Sequence, residues 1–555
     1  MNGSNRFIRG AGKYGFQGAA TATVLPSPDM VLLFAAYLIL MGSILAFAIY
    51  EFNSGVAFQV AALILVGLFF AFLVHFNFLQ MPGYFEPFIT GFSTPLITNL
   101  VLVLVFVGMG LKMGWESRSF RGEGLRIFAA SAVMAFIDII PGALIFGYLC
   151  EFIFGWPWIY GALLGTLMGE TSAAVVVPYV DHQAKLAQEK GGSSRHLSKL
   201  TNVLKLESTL NSITLLLFLV LFYNEISVGN YNPTLGSFFS SSWASLIQVF
   251  ELHWPVLVMV IAGIPLLIYL FSRLMIFFTK RKLVDRASRK LKVTAIFSLN
   301  DVMLPKDDSA QEMSEKQFRI GMMLYGIVLG IALLIFETIQ TQPATSFAGI
   351  GTSLFSLLAL LYLGFFLGYL FPGSTTYTVD SATEQMGRRA FTGMMLFHDE
   401  FELLARIVFY FSVGVSLGFM ILSPLPGSQA IPDGVWGGIL FMTVIMGPVF
   451  LGLRYLSGLA GLPISFFSRY RKESFKGDFR LVAATMPKGI TVAAVAVLIL
   501  QSGIDFSAEI YILALISVVV STIGFTLISS TKPKPAAGRE DASQHAVEPP
   551  EPAEN

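Results

Sequence analysis

Cysteine is nearly absent from this chain: Cys150 is the only one in 555 residues. That excludes a disulfide framework and any cysteine-based metal site. Charge is scarce too, at 13% of residues, and the balance is +1. No basic surface points to a nucleic-acid partner. Such sparse charge also excludes a large soluble protein, whose surface would need far more polar cover. The first 28 residues carry Arg6, Arg9 and Lys13 but no cleavable-signal pattern, because the apolar run from Met30 is too long for one.

Apolar residues fill the gap. They make up 55% of the chain, with mean hydropathy +0.70. Runs of about 20 apolar residues recur, the length at which a helix spans the hydrocarbon core. They predict an all-α polytopic membrane protein with about thirteen spans: 30–50, 56–76, 94–113, 126–150, 157–180, 201–223, 254–278, 319–338, 347–371, 398–422, 434–455, 480–502 and 508–530. Residues 1–29 form an N-terminal arm, 30–530 the membrane domain, and 281–318 a linker between its halves. The Pro-rich, charged tail 531–555 has no core-forming residues and is expected to be disordered.

Basic residues alternate between loops. Lys112, Arg118 and Arg121, then Lys185, Lys190 and Arg195, then Lys280 to Arg286, then Arg388 and Arg389, then Arg469 to Lys472 follow the odd-numbered spans from the third to the eleventh. The loops after the even-numbered spans from the fourth to the twelfth carry none. Positive loops remain cytoplasmic. The expectation is a cell-membrane protein with its N-terminus outside and its C-terminus inside. The basic N-terminal arm runs against this and is outweighed by the alternation.

Ionisable residues inside spans are costly and usually functional. Asp138, Glu170, Glu207, Arg406 and Lys488 fall in the fourth, fifth, sixth, tenth and twelfth spans. Glu170 and Lys488 lie in interrupted segments. GTLMGETSAAVVVP carries Gly165, Gly169, Thr171, Ser172 and Pro178, and ATMPKGIT carries Thr485, Pro487, Gly489 and Thr491. Glycine and proline weaken a helix. Paired broken helices point to a midplane ion site in a secondary transporter, although Pro and Gly kinks are also common in ordinary membrane helices.

In VLKLESTLNSITLL, Glu207, Asn211 and Thr214 share one helical face, with Ser208 and Ser212 beside it. Oxygen ligands of this kind suit a hard cation such as Na⁺ or K⁺. The same serines would also serve as interhelical hydrogen-bond partners. For Glu207, a buried pair with Arg406 is favoured over ion contact.

The pieces GETSAAVVVPYV, LESTLNSITLLL, FHDEFELLARIVFYFSVGVSLG and MPKGITVAAVAVL occur in this order. Together they resemble the monovalent cation:proton antiporter superfamily, nearest its NhaP-like branch, over roughly residues 30–530. The resemblance implies inverted repeats, two discontinuous crossing helices (the fifth and twelfth spans), a homodimer and alternating access. It places Thr171 and Ser172 in the unwound part of the fifth span, Glu207 in a structural pair with Arg406, and Ser208 beside the ion. Lys488 falls at the basic position of the twelfth-span motif. No cofactor is implied, and no metal beyond the transported monovalent cation. The expected partners are that cation, protons and the lipid bilayer.

One departure matters. Where the family carries Asp after Asn211, this chain has Ser212; where Thr-Asp-Pro is common, it has Thr171-Ser172-Ala173. A hydroxyl can ligate a cation but cannot carry the exchanged proton near neutral pH. Glu170 is the first candidate to replace the lost carboxylate and Asp138 the second. A Glu170–Lys488 charge pair is the alternative. The readings left open are a Na⁺ or K⁺/H⁺ antiporter, an uncoupled or channel-like carrier, and a sensory or structural protein on the same scaffold.

An enzyme is the least favoured class, because the cytoplasmic stretches hold no phosphate loop, His/Cys cluster or nucleophile elbow. His398, Asp399, Glu400 and Glu402 sit at the expected entrance to the tenth span. They are read as a solvated helix end, with an entrance or pH-sensing role as the alternative.

Overall fold

The computed structural model describes residues 56–79, 94–117, 124–172, 194–227, 347–370, 381–422, 435–465 and 481–530, with isolated positions between them. The N-terminal arm, the predicted span 30–50, the linker 281–318 and the tail 531–555 lie outside the described residues. The predicted spans 254–278 and 319–338 are described only at isolated positions.

Among the described residues the chain is helical, with no strand. In chain order the helices are α1 (Val56–His75), α2 (Thr94–Ser117), α3 (Gly124–Phe154), α4 (Trp158–Gly169), α5 (Ser194–Ser227), α6 (Phe347–Leu370), α7 (Ser381–Leu422), α8 (Val435–Ser465), α9 (Ile490–Ser502) and α10 (Ser507–Ser530). Six of them contain stretches long and apolar enough to cross a membrane: α2, α3, α5, α7, α8 and α10. The chain is a multi-pass membrane protein.

Several helices outrun the lengths that hydropathy suggests. The α7 helix begins at Ser381, well before the expected entrance at 398, and α8 continues to Ser465, past the expected end at 455. Backbone hydrogen bonds carry α7 through its polar first turns, while α8 stays apolar as far as Ile464. Charged residues near the expected span ends therefore stand inside continuous helices.

Packing runs pairwise. The α2 helix lies along α6, α3 along α4, α1 along α7, and α8 and α5 both flank α3. Lipid tails are as apolar as leucine, so close backbone approach rather than hydrophobic sorting holds such pairs together. The α2–α6 seam shows the device. A Cβ added at Gly110 would lie 2.2 Å from the Leu361 carbonyl oxygen, and one at Gly364 would lie 2.4 Å from that of Val107. Backbone faces backbone across both contacts, so no side-chain rotation relieves the clash.

The two interrupted segments stop being helical where the sequence breaks them. The α4 helix ends at Gly169, and Glu170 is extended (φ −67°, ψ 146°). The α9 helix starts only at Ile490, behind an extended Gly489 (φ −112°, ψ −168°). The stretch before it, from Met486 to Gly489, is non-helical. Both broken segments are buried throughout their described residues.

Gly110→Val should drive α2 and α6 apart. The expected loss is about 1–3 kcal/mol, the usual cost of overpacking, read as a lower thermal unfolding midpoint in detergent. An unchanged midpoint would show that the seam is looser than described.

Candidate functional site

The two breaks meet. The Ser172 amide donates to the Pro487 carbonyl at 2.9 Å, which ties one unwound strand to the other. The contact is so close that a Cβ at Gly489 would lie 2.3 Å from Ser172 Oγ. After Ser172 the chain turns back towards helix, with Val176 N–H donating to the Ser172 carbonyl at 2.8 Å. On the other side, the Lys488 amide donates to Ser521 Oγ of α10 at 2.9 Å. Helix breaks free backbone groups that water cannot reach here, and these bonds satisfy some of them.

Helix α5 supplies side chains to the first break. Asn211 Nδ2 lies 3.2 Å from the Gly169 carbonyl, 3.1 Å from Thr171 Oγ1 and 3.2 Å from Glu207 Oε1, all acceptors in reach of its N–H groups. Thr171 donates to Glu207 Oε1 at 3.1 Å. Ser212 donates to Glu170 Oε1 at 3.1 Å. The Gly489 backbone and the Thr491 side chain, from the second break and α9, lie beside the same carboxylate. All five α5 and α4-break side chains, Glu170, Thr171, Glu207, Asn211 and Ser212, are fully buried.

Arg454 of α8 closes the arrangement from the far side. Its Nη1 bonds Asp138 of α3, and it reaches Glu207 with Nη1–Oε1 at 3.0 Å and Nη2–Oε2 at 3.2 Å. It also donates to Thr485 Oγ1, and through Nε to the Val482 carbonyl at 3.3 Å. Arg454 is 1% exposed. One guanidinium, with its five donors in a fixed fork, therefore joins α3, α5, α8 and the approach to the second break.

The structure corrects the pairing expected for Glu207. Its partner is Arg454, while Arg406 pairs with Glu402 one turn earlier on α7. The helix i, i+4 spacing makes Glu402 the local partner of Arg406. Arg454 escaped the sequence reading because it sits at the expected end of a span, where Arg is ordinary. The apolar run that continues past Arg454, LSGLAGLPIS over 456–465 of the same helix, was the available signal.

The other expected residues separate clearly. Asp138 belongs to the Arg454 clamp. Ser208 is buried, but its hydroxyl turns back to the Lys205 carbonyl of its own helix at 2.8 Å. Lys488 lies over the Phe450 ring, 4.7 Å from the centroid, and interacts electrostatically with both Asp138 and Glu170. No Lys488–Glu170 ion pair occurs among the described residues, so the direct charge pair weighed for these two is not formed. His398 and Glu402 are buried rather than solvated, while Asp399 is exposed and bonds Lys112 of α2 at 2.9 Å. His398 Nδ1 lies 2.7 Å from the Tyr325 hydroxyl.

Three buried oxygens at or beside the crossing have no hydrogen-bond partner: Glu170 Oε2, Asn211 Oδ1 and Asp138 Oδ1. Each is an acceptor. Leaving such a group unpaired in a dry interior costs about 1–3 kcal/mol. What suits this set is a hydrogen-bond donor, a proton or a metal cation, not another acceptor.

Neither a comparison with protein-family models nor one with curated proteins gives a match. By shape, the chain is similar to the sodium proton antiporter MjNhaP1 from Methanocaldococcus jannaschii at pH 8. The TM-score is 0.51 and the sequence identity 15%, over 90% of this chain and 95% of that one. The likeness establishes the fold: an all-α membrane architecture of the kind seen in that antiporter.

Replacing Arg454 with Met would strand two carboxylates without their shared cation. Breaking a buried pair in this way costs about 3–5 kcal/mol. Arg454→Met should lower the unfolding midpoint far more than Arg406→Met, since the Arg406 side chain is 16% exposed. Equal shifts would contradict the assignment of Arg454 as the central clamp.

Proposed function

We propose that this protein exchanges a monovalent cation, Na⁺ or K⁺, for protons by alternating access, with Glu170 as the group for which the two ions compete. The observation that carries the reading is the placement of Glu170. It is a fully buried carboxylate at the meeting of two broken helices, with one oxygen held by Ser212 and the other unpaired. A charged carboxylate in that state is costly, and either a proton or a cation relieves it. Both cannot do so together, and that competition is what exchange requires.

Charge counting supports the same reading. Asp138, Glu170 and Glu207 are buried beside two buried bases, Arg454 and Lys488. Three carboxylates against two bases leave one negative charge when all are ionised. One proton or one monovalent cation balances it. Glu207 is a poor candidate for that role, because its two oxygens already accept from Arg454, Thr171 and Asn211. Asp138 is held by Arg454.

Ser212 explains how the carboxylate can have moved. It stands 3.1 Å from Glu170 Oε1, so an Asp at 212 would face Glu170 across the same gap. The carboxylate sits on the α4 break in place of α5, and Ser212 becomes its hydrogen-bond donor. The fold shared with a sodium proton antiporter supports cation/proton exchange. On this reading Thr171 and Ser172 line the passage, Lys488 balances charge at the second break, and Ser208 supports α5 from within. A homodimer in the cell membrane, N-terminus outside, completes the proposal.

The test is dequenching of a pH-sensitive dye in everted membrane vesicles on adding Na⁺, K⁺ or Li⁺. The intact chain should give cation-dependent proton movement, and Glu170→Gln should abolish it while the protein remains inserted. Movement surviving in Glu170→Gln would transfer the role to Asp138. No movement with any cation, in folded and inserted protein, would favour an uncoupled or sensory role on this scaffold.

A further inference from the structure

Phe506 stands in a backbone conformation that its side chain opposes. Its φ is +60°, in the left-handed region, which is disfavoured for a bulky residue. The turn it belongs to imposes this. The Ser507 N–H donates to the Ile504 carbonyl at 3.1 Å, closing a four-residue turn between α9 and α10 with Phe506 at its third position. A positive φ at that position usually selects Gly or Asn. The Phe506 carbonyl then accepts from the Ile510 N–H at 2.9 Å, which starts α10. A residue held in a costly conformation needs surroundings that keep it there.

Those surroundings are aromatic. Phe506 stacks on Trp156, with centroids 5.0 Å apart and planes 28° apart, and Trp156 stacks on Phe154 at 4.7 Å and 21°. Tyr160 of α4 meets Phe506 edge-on at 5.1 Å. The Asp505 side chain lies beside the Tyr160 hydroxyl. Trp156 is 3% exposed and is itself pinned. Gly155 (φ +68°) ends α3, with its N–H donating to the Glu151 carbonyl at 3.0 Å and the Trp156 N–H donating to the Cys150 carbonyl at 3.5 Å. That is the bond pair of a left-handed helix end. One loop fixes a Trp, and the other holds a strained Phe against it.

The place of these rings in the fold gives them a role. The α4 helix has 12 residues and runs from the stack to the first break; α9 has 13 and runs from the second break back to the stack. At about 1.5 Å per residue, the stack lies about 18 to 20 Å from the crossing along either helix. Between those ends the two helices have different neighbours. The α4 helix lies along α3 and against α5, α9 lies along α10 and against α2, and α4 and α9 touch each other little. The α3–α4 seam is backbone against backbone: a Cβ at Gly165 would lie 2.3 Å from the Gly142 carbonyl oxygen, and one at Gly169 would lie 2.6 Å from that of Asp138. That seam resists sliding. The α9 helix contains no glycine and makes no such seam with α4. The crossing and the ring stack are the two ends at which α9 and its turn are tied to the α3–α4 hairpin.

We propose that Phe506 is a positioning residue for the exchange site: its stack on Trp156 and Tyr160 sets the axial position of α9 against α4, and so holds Gly489 and Thr491 beside Glu170. This rests on the exchange reading above and adds a residue remote from the ion. A continuous helix carries an axial shift along its length, because each turn is hydrogen-bonded to the next. The α9 helix begins at Ile490, directly behind Gly489, so a shift at the stack arrives at the break. The break has no slack, since a Cβ at Gly489 would lie 2.3 Å from Ser172 Oγ. Stacked and edge-on ring pairs are directional. They fix a register that an aliphatic contact would let slip.

The experiment compares Phe506→Gly, Trp156→Ala and Phe506→Tyr in the full chain by two readouts. One is hydrogen–deuterium exchange of the detergent-solubilised protein. The other is the half-saturating Na⁺ or K⁺ concentration in the vesicle assay. Phe506→Gly removes the ring and relieves the left-handed strain together, so the fold should persist. Amide protection should fall about tenfold over 493–497, at the far end of α9, while α1 keeps its protection. The half-saturating cation concentration should rise about tenfold. Trp156→Ala should act in the same direction, and Phe506→Tyr, which keeps the ring, should restore both readouts. The double variant should be no worse than either single one, because the two rings share one contact.

Loss of protection confined to 500–510, or spread evenly over every helix, would reduce the stack to packing and overturn the positioning role. A native half-saturating concentration in Phe506→Gly would overturn it likewise, and either result would leave the exchange reading standing. In an intact chain that moves no protons with any cation, the exchange reading falls. Lowered protection at 493–497 would then still support Phe506 as the residue that sets α9 against α4, and native protection there would overturn that too.

Discussion

The Arg454 guanidinium is the interaction on which the interior depends. It brings together Asp138 of α3, Glu207 of α5 and Thr485 before the second break, and it does so at 1% exposure. Buried charges survive only when paired and hydrogen-bonded, so each carboxylate is bound to its position by the loss that separation would bring. Glu207 passes the constraint onward. By accepting from Thr171 and Asn211, it fixes the first break from behind. A single cation thus sets the spacing of three helices and the shape of an unwound segment on a fourth.

That constraint frees Glu170 from structural duty. With Glu207 and Asp138 both engaged by Arg454, Glu170 has Ser212 on one oxygen, the Gly489 backbone and Thr491 beside it, and no partner on the other oxygen. The site divides its carboxylates into two that hold the architecture and one that remains available. Lys488 stands between the groups, resting on the Phe450 ring face, a placement in which an aromatic quadrupole favours a cation. Its electrostatic contact with both Asp138 and Glu170 lets the same base balance either.

A second polar cluster lies on α7, where His398, Glu402 and Arg406 follow at intervals of four residues. Glu402 is engaged by Arg406, His398 Nε2 lies 3.3 Å from Glu402 Oε2, and Asp399 is held by Lys112. With two carboxylates against two permanent cations, the cluster is already balanced. Another positive ion there would have no charge to offset, which separates this cluster from the crossing, where the count leaves one over.

The sequence by itself determined the environment, the helical class and the two breaks. Apolar runs of spanning length permit little but helices in lipid, and Gly169, Pro487 and Gly489 weaken helices wherever they stand. It also marked Glu207, Asn211 and Thr214 as one polar face with Ser208 and Ser212 beside it, since that follows from helical spacing alone. Only the tertiary structure decided which charge meets which. Arg406 and Arg454 are both Arg within long apolar helices, and spacing along the chain says nothing about which reaches Glu207, 247 residues from Arg454. The orientation of the Asn211 amide was equally hidden, because it is fixed by acceptors on α4, its break and α5 together. Partner choice and side-chain direction are properties of the packed interior, where an unpaired charge or a misdirected dipole is costly.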